Sequence, residues 1–257
     1  MLFNVLTTLV CAAVASASVL KSRQGPQLVT RCTVPNTVAL TFDDGPYIYL
    51  NEIVDTLDAA GAKGTFFFNG CIYDPANRAR IKYAYDHGHQ VASHTWAHRD
   101  LTSLSWDQIH DEMWRVEQAL ARITGATPAF MRPPYGNYNN LVLDASRARG
   151  QSVVYWDFDS EDSAGASVQR SRQLYDQATS THPPTILTLN HETYQTTARE
   201  VLPYAIQRLK AAGYRLVSLA DCVGQSPYQS VVGAGTPDST PDVVNGPKNT
   251  HEDSEEE

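Results

Sequence analysis

No apolar run in this 257-residue chain reaches the ~20 residues that a bilayer-spanning helix needs. Glycine and proline are not in excess, at 15 and 14, which excludes collagen-like and wholly low-complexity architectures. Basic residues are few: 20 Lys and Arg stand against 28 Asp and Glu, for a formal charge of -8. Much of that excess is terminal, because Asp238, Asp242, Glu252, Asp253, Glu255, Glu256 and Glu257 face Lys248 alone beyond residue 225. The remaining body is close to neutral. It has no electrostatic footprint for nucleic acid or an anionic membrane, and it suits an uncharged substrate better than a phosphorylated one. There is no internal repeat, no cysteine-dense binding module and no apolar C-terminal tail of the kind that directs a lipid anchor. The expectation is one soluble, monomeric domain, with a hydrophobic content of 42% that is ample for a core.

Cysteine is also scarce, with four residues in all. Residues 1–17 (MLFNVLTTLVCAAVASA) are apolar, too short to span, and end in small residues at Ala15 and Ala17, the pattern of a secretion signal cleaved after Ala17. Cleavage would remove Cys11 and leave Cys32, Cys71 and Cys222 in a disulfide-permitting, extracellular compartment. Cys32 and Cys222 bracket the patterned region, so a bridge between them would clamp its ends. Cys71 is then expected as a free, buried thiol. Residues 18–36 form a short N-terminal segment, 37–224 the main domain, and the Gly-, Pro- and Ser-containing stretch 225–257 an acidic disordered tail.

Between the ends, short apolar runs alternate with amphipathic stretches that stop at glycine. Seven runs read as strands: 38–42, 65–68, 90–93, 129–131, 152–156, 185–189 and 214–217. The helix over 106–124 is announced by the capping box Ser105-x-x-Gln108 and closed by Gly125. Continuous apolar strands separated by helices predict an α/β fold with a parallel sheet, and about seven units predict a distorted or incomplete (β/α) barrel. An open doubly wound sheet is the alternative. In both, ligands bind where strands end, so the residues after each strand carry the functional information.

Those residues are chemically dense. The first strand runs into Thr41-Phe42-Asp43-Asp44-Gly45-Pro46, and adjacent carboxylates there need a cation or hydrogen-bonding partners. The third runs into Ser93-His94-Thr95-Trp96-Ala97-His98, two imidazoles spaced to share one ion. With one carboxylate they form a set that leaves coordination positions open, which is the catalytic rather than the structural pattern. Arg132-Pro133-Pro134-Tyr135-Gly136 offers a rigid guanidinium fork and a backbone N–H aimed by stiff neighbours. Trp156-Asp157-Phe158-Asp159-Ser160-Glu161-Asp162 and Leu189-Asn190-His191 place carboxylates near an imidazole, as an oriented acid or base requires. From the residues alone, His191 is equally an acid or a third imidazole ligand.

Taken in order, TFDDGP, HTWAH, RPPYG, DSED and LNH resemble the five motifs of the polysaccharide deacetylases of carbohydrate esterase family 4, the NodB-homology domain, over roughly residues 37–222. Stretches such as TFDDGPY, FFFNG and GCIYD are most similar to fungal chitin deacetylases. The resemblance implies Asp44, His94 and His98 as ligands of zinc or a similar ion such as cobalt, and Asp43 as general base. It implies Arg132 as the group orienting Asp43, the Tyr135 N–H as an oxyanion donor, and His191 as general acid paired with Asp159. Leu189 would line the acetyl pocket. The family's fourth motif commonly reads Asp-x-x-Asp-Trp, whereas Ser163 follows Asp162 here, so Trp156 is the candidate for the aromatic wall. The implied reaction is removal of N-acetyl groups from chitin or chitooligosaccharides. Acetyl xylan ester or peptidoglycan hydrolysis, or non-catalytic capture of chitin fragments, are the alternatives.

Overall fold

A computed structural model describes residues 25–234. The expected secretion signal and the last part of the expected tail, 235–257, lie outside these residues. In chain order the elements are β1 (Leu28–Val29), β2 (Thr37–Gly45), α1 (Leu50–Ala59), β3 (Gly64–Phe68), α2 (Pro75–Asp86), β4 (Gln90–Ser93), α3 (Trp106–Thr124), β5 (Ala126–Pro128), β6 (Phe130–Met131), α4 (Asn140–Ala148), β7 (Ser152–Val154), β8 (Phe158–Asp159), α5 (Val168–Thr181), β9 (Thr185–His191), α6 (Leu202–Ala211), β10 (Arg215–Leu216), α7 (Leu219–Val223) and β11 (Tyr228–Val231). All seven predicted strands are present, as β2, β3, β4, β6, β7, β9 and β10.

The main sheet is parallel throughout, in the order β1-β7-β6-β4-β3-β2-β9-β8, with β10 also paired to the start of β2. Its curl follows from one connection. β7 pairs with β6 and β1, yet β8, which begins only a few residues later, pairs with β9 at the other end of the order. A single run of chain touches both ends, so the sheet bends round into a distorted (β/α) barrel rather than an open doubly wound layer. The bend also explains why the predicted strand 152–156 is broken: Tyr155 still donates to Val29 O, whereas Asp157 N donates to Leu187 O across the seam.

Side-chain alternation sorts the apolar residues into two shells. Ala39, Phe67, Ala92, Phe130, Val154 and Leu187 point inward and fill the barrel with Leu219 and Ala220 of α7. Leu40, Phe42, Phe66, Phe68 and Val91 point outward beneath Ile53 and Leu57 of α1, Ile81 of α2 and Leu209 of α6. Each such fully buried side chain contributes about 1.5–3 kcal/mol of transfer free energy. α7 plugs the lower end: Leu219 N donates to Thr65 Oγ1 and Ala220 N to Gln90 Oε1. The Cys32–Cys222 disulfide ties that plug to the segment after β1.

α3 begins and ends where predicted. Ser105 and Gln108 form the reciprocal cap, and Gly125 takes the left-handed conformation (φ 79°) that stops the helix. Three expectations are corrected. β1 lies within the segment assigned no element, because its two residues are recruited only by the edge of β7. The tail does not begin at 225, since β11 pairs antiparallel with β5 and Val232 N donates to Gly125 O. Cys71 is exposed, not buried, because the chain leaves β3 and makes a single 3-10 turn over Cys71–Tyr73 before α2.

Candidate active site

Continuing the inward alternation upward from the apolar layer leads directly to the polar one. Two residues beyond Ala92 is His94, two beyond Phe130 is Arg132, and beyond Leu187 the same face carries Leu189 and then His191. On β2, Ala39 is followed inward by Thr41 and Asp43. Asp43 stands in register with His191 on the neighbouring strand. A regular strand would send Asp44 to the opposite face. Instead the β2–β3 register shifts between Phe42 and Gly45, and Asp44 adopts φ 68°, so both carboxylates turn toward one centre.

Asp43 is fixed by a cation. Arg132, with no exposed surface, donates from Nη1 to Asp43 Oδ1 (2.8 Å) and to Thr41 Oγ1 (2.8 Å), and from Nη2 to Tyr155 O (3.1 Å). The guanidinium carbon lies 4.4 Å from the Phe67 ring centre and 5.6 Å from that of Trp156. Burial pulls Arg132 below its ordinary pKa, and the charge of Asp43 opposes that loss.

Asp44, His94 and His98 offer one ligand atom each within 4.8 Å of one another. Asp44 Oδ1 lies 3.4 Å from His94 Nε2 and 3.2 Å from His98 Nε2, and it is buried with no hydrogen-bond partner. Burial would raise the Asp44 carboxyl, but the close approach and charge of both imidazoles overcome it and hold the group well below the usual carboxylate range. The His94 Nδ1 lies 2.8 Å from Arg132 O, so its proton goes to that carbonyl and the Nε2 lone pair faces Asp44. A buried, unpartnered oxygen between two imidazole nitrogens is a donor set that fits a divalent transition ion.

On the opposite side, the carboxylate that holds His191 is Asp162, not Asp159. Asp162 Oδ1 meets His191 Nδ1 at 2.8 Å, while its Oδ2 accepts from His191 N and Thr197 Oγ1, both at 2.8 Å. Asp159 is exposed and accepts from Glu161 N. The exchange is made by the backbone: Glu161 takes φ 59° and a 3-10 turn follows over Asp162–Ala164, returning Asp162 to the interior. Burial alone would lower His191, but Asp162, Asp43 and Asp44 lift it from 6.5 to about 9. Its Nε2 lies 4.0 Å from Asp44 Oδ2, which brings it into the same cluster.

Tyr135 sits at φ 60° on the loop after β6, its ring 4.8 Å from that of His98, and among the described residues its N–H has no acceptor. Trp156 stacks on Tyr155 at 4.1 Å, and Leu189 is on the same face of β9 as His191 with 6% of its surface open. The predicted residues gather at one end of the barrel, with Asp159 near enough for its charge to reach His191 and Arg132 but not bonded to either. Thr41, Thr197 and Glu192 escaped the sequence reading, since nothing in their spacing distinguishes them from core polar groups.

A parallel barrel bearing paired carboxylates, paired imidazoles and a carboxylate-held histidine at its strand ends belongs to the class of hydrolase scaffolds with a cation-ready centre. Residues 30–154 match the family model described as polysaccharide deacetylase. A chitin deacetylase from Pestalotiopsis sp. is 35% identical over 230 residues, covering 84% of this chain and 74% of that protein. A probable peptidoglycan-N-acetylglucosamine deacetylase of Arthroderma benhamiae is 36% identical over 210 residues, 77% of this chain but only 46% of its own length. The solved chitin deacetylase of Colletotrichum lindemuthianum superposes with a TM-score of 0.74 at 28% identity, over 79% of this chain and 94% of that one. The chain belongs to the polysaccharide deacetylase family.

Proposed function

We propose that this chain is a metal-dependent deacetylase that hydrolyses N-acetyl groups on N-acetylglucosamine residues of chitin or chitooligosaccharides, giving acetate and the free amine. The observation that carries the reading is the convergence of the Asp44, His94 and His98 donor atoms beside an Arg-held Asp43 and an Asp-held His191. Asp44, His94 and His98 would hold zinc or a similar divalent ion such as cobalt. When bound, such an ion polarises an acyl oxygen and makes water a better nucleophile at neutral pH.

The chain's own groups carry the protons. Asp43, buried and held by Arg132, accepts the proton of the attacking water as the new C–O bond forms. The Tyr135 N–H, unpartnered and aimed by the surrounding prolines, donates to the oxyanion. His191, kept as imidazolium by Asp162, delivers a proton from Nε2 to the amide nitrogen as the C–N bond breaks. An amide nitrogen leaves poorly unless protonated, which is why a separate acid is needed. Leu189 and Trp156 would contact the acetyl methyl and the sugar.

The names of the relatives favour chitin first and peptidoglycan second. The Cys32–Cys222 disulfide supports secretion into an oxidising compartment, and among the described residues no helix is long and apolar enough to cross a membrane. Acetate release measured side by side on chitin oligomers, acetylated xylan and peptidoglycan tests the substrate. Preference for chitin oligomers is expected. Release from peptidoglycan or xylan alone would move the assignment within the family, and sugar binding without release from any of the three would make the chain a capture protein.

A further inference from the structure

Glu192 is a buried acid that this mechanism does not use. It directly follows His191, has no exposed surface, and donates its N–H to Asp43 O at 3.3 Å. Its Oε1 accepts from Tyr47 N at 2.7 Å, and its Oε2 is buried without a hydrogen-bond partner. The carboxyl occupies the space over Gly45: a Cβ added there would fall among its carbon and both oxygens. Gly45 is not among the positive-φ residues, so backbone freedom does not explain a glycine at this point. The carboxyl does. Both contacts fall on the stretch immediately after Asp43 and Asp44, at the shifted register that turns the pair toward one centre.

We infer that Glu192 is a positioning residue: by holding the Tyr47 N–H and filling the space over Gly45, it locks the β2 bulge that presents Asp44 to the metal and Asp43 to the water. The inference rests on the metal-dependent reading above. Removing Glu192 leaves the Tyr47 N–H and the bulge without their common support, and an outer contact of this kind governs how well a ligand carboxylate is aimed. Burial, reinforced by the charges of Asp44 and Asp43 and opposed by the Tyr47 N–H and Arg80, raises the Glu192 carboxyl well above its ordinary range. An amide at 192 keeps the same shape over Gly45 and an oxygen to accept from Tyr47 N, so glutamine should serve in its place.

The test compares the full chain with Glu192→Gln, Glu192→Ala, Gly45→Ala and the Gly45→Ala/Glu192→Ala double variant. Zinc affinity is read by competition with a chromophoric chelator, kinetics by acetate release from chitin oligomers, and folding by circular dichroism. Glu192→Ala is expected to weaken zinc binding by about 10–100-fold and to lower kcat with little change in KM, whereas Glu192→Gln stays close to the wild type. Gly45→Ala is expected to damage the wild-type background and to add little in the Glu192→Ala background, because the group it collides with is gone. Should Glu192→Ala not fold, Glu192→Asp, which withdraws the acid by one methylene, replaces it with the same expectation. Unchanged zinc affinity in Glu192→Ala, equal damage from Gln and Ala, or additive effects of the two sites would overturn the inference. A wild-type chain that binds no zinc would instead overturn the metal reading on which it rests.

Discussion

Asp162→Asn, set beside Asp159→Asn, separates the two carboxylates that the sequence places three residues apart. Asp162 makes three hydrogen bonds, two to His191 and one from Thr197, and all are within 2.8 Å. Against the burial that would lower it, His191 is lifted from 6.5 to about 9, with Asp162 the largest of the raising influences. At ~1.4 kcal/mol per pKa unit, that lift corresponds to about 3 kcal/mol in favour of the imidazolium, or between two and three orders of magnitude in the ratio of imidazolium to neutral imidazole. An amide at 162 withdraws the charge and permits the wrong tautomer, so kcat for acetate release at neutral pH should fall by about 10²–10³-fold, within the range of a lost general acid. Asp159→Asn removes an exposed group bonded to Glu161 N and should stay within about threefold of the wild type. The assay is steady-state acetate release from chitin oligomers, with circular dichroism to verify folding. Greater loss in Asp159→Asn than in Asp162→Asn, or near-normal turnover in Asp162→Asn, would refute the assignment of the pair.

Further outcomes follow from the buried groups. Arg132→Met leaves Asp43 buried without its cation and should cost about 3–5 kcal/mol in urea unfolding, and Arg132→Lys cannot reproduce the contacts to Asp43, Thr41 and Tyr155 O; a loss below about 1 kcal/mol for Arg132→Met would contradict the buried-pair account. His89, whose Nδ1 accepts from Gly64 N, is held neutral, chiefly by burial and then by Lys63, with its pKa lowered from 6.5 to about 4. The unfolded chain takes up this proton first as pH falls. The stabilisation is therefore complete above about 6.5 and declines toward pH 4, by up to about 3 kcal/mol, and the pH slope of stability should flatten in His89→Gln; an identical slope in the variant removes His89 from the account. Cys32 and Cys222 close a loop across a separation of 190 residues, so Cys32→Ser/Cys222→Ser should lose up to about 5 kcal/mol on the chain-entropy estimate. A midpoint unchanged in the double variant would show that the bridge adds nothing.

Much of this was legible because ligands bind where parallel strands end: Asp43, His94, Arg132 and His191 lie at the ends of the first, third, fourth and sixth predicted strands. The structure adds the reason they share one face, the inward alternation marked by Ala39, Ala92, Phe130 and Leu187. That alternation fails where the chain leaves the strand. The choice between Asp159 and Asp162 depends on the left-handed turn at Glu161, and a glutamate carries no signal for that conformation. Asp44 shares the site only because of a bulge, which adjacent aspartates suggest but do not specify. β1 and β11 were missed for another reason. Each is a short segment held by tertiary pairing, with β7 and β5 respectively, and its own residues have no distinctive periodicity. Glu192 is invisible for a similar reason, since its meaning lies in its contact with Gly45, across the β2–β9 pair.

If Asp44, His94 and His98 hold one divalent ion beside Asp43 and His191, calorimetric titration of zinc into the metal-stripped chain, repeated with His94→Ala and with Asp44→Asn, must register it. One ion per chain is predicted for the wild type, with binding sharply weakened in both variants while circular dichroism stays native. No zinc uptake by the folded wild type, or uptake indifferent to both substitutions, would contradict the account.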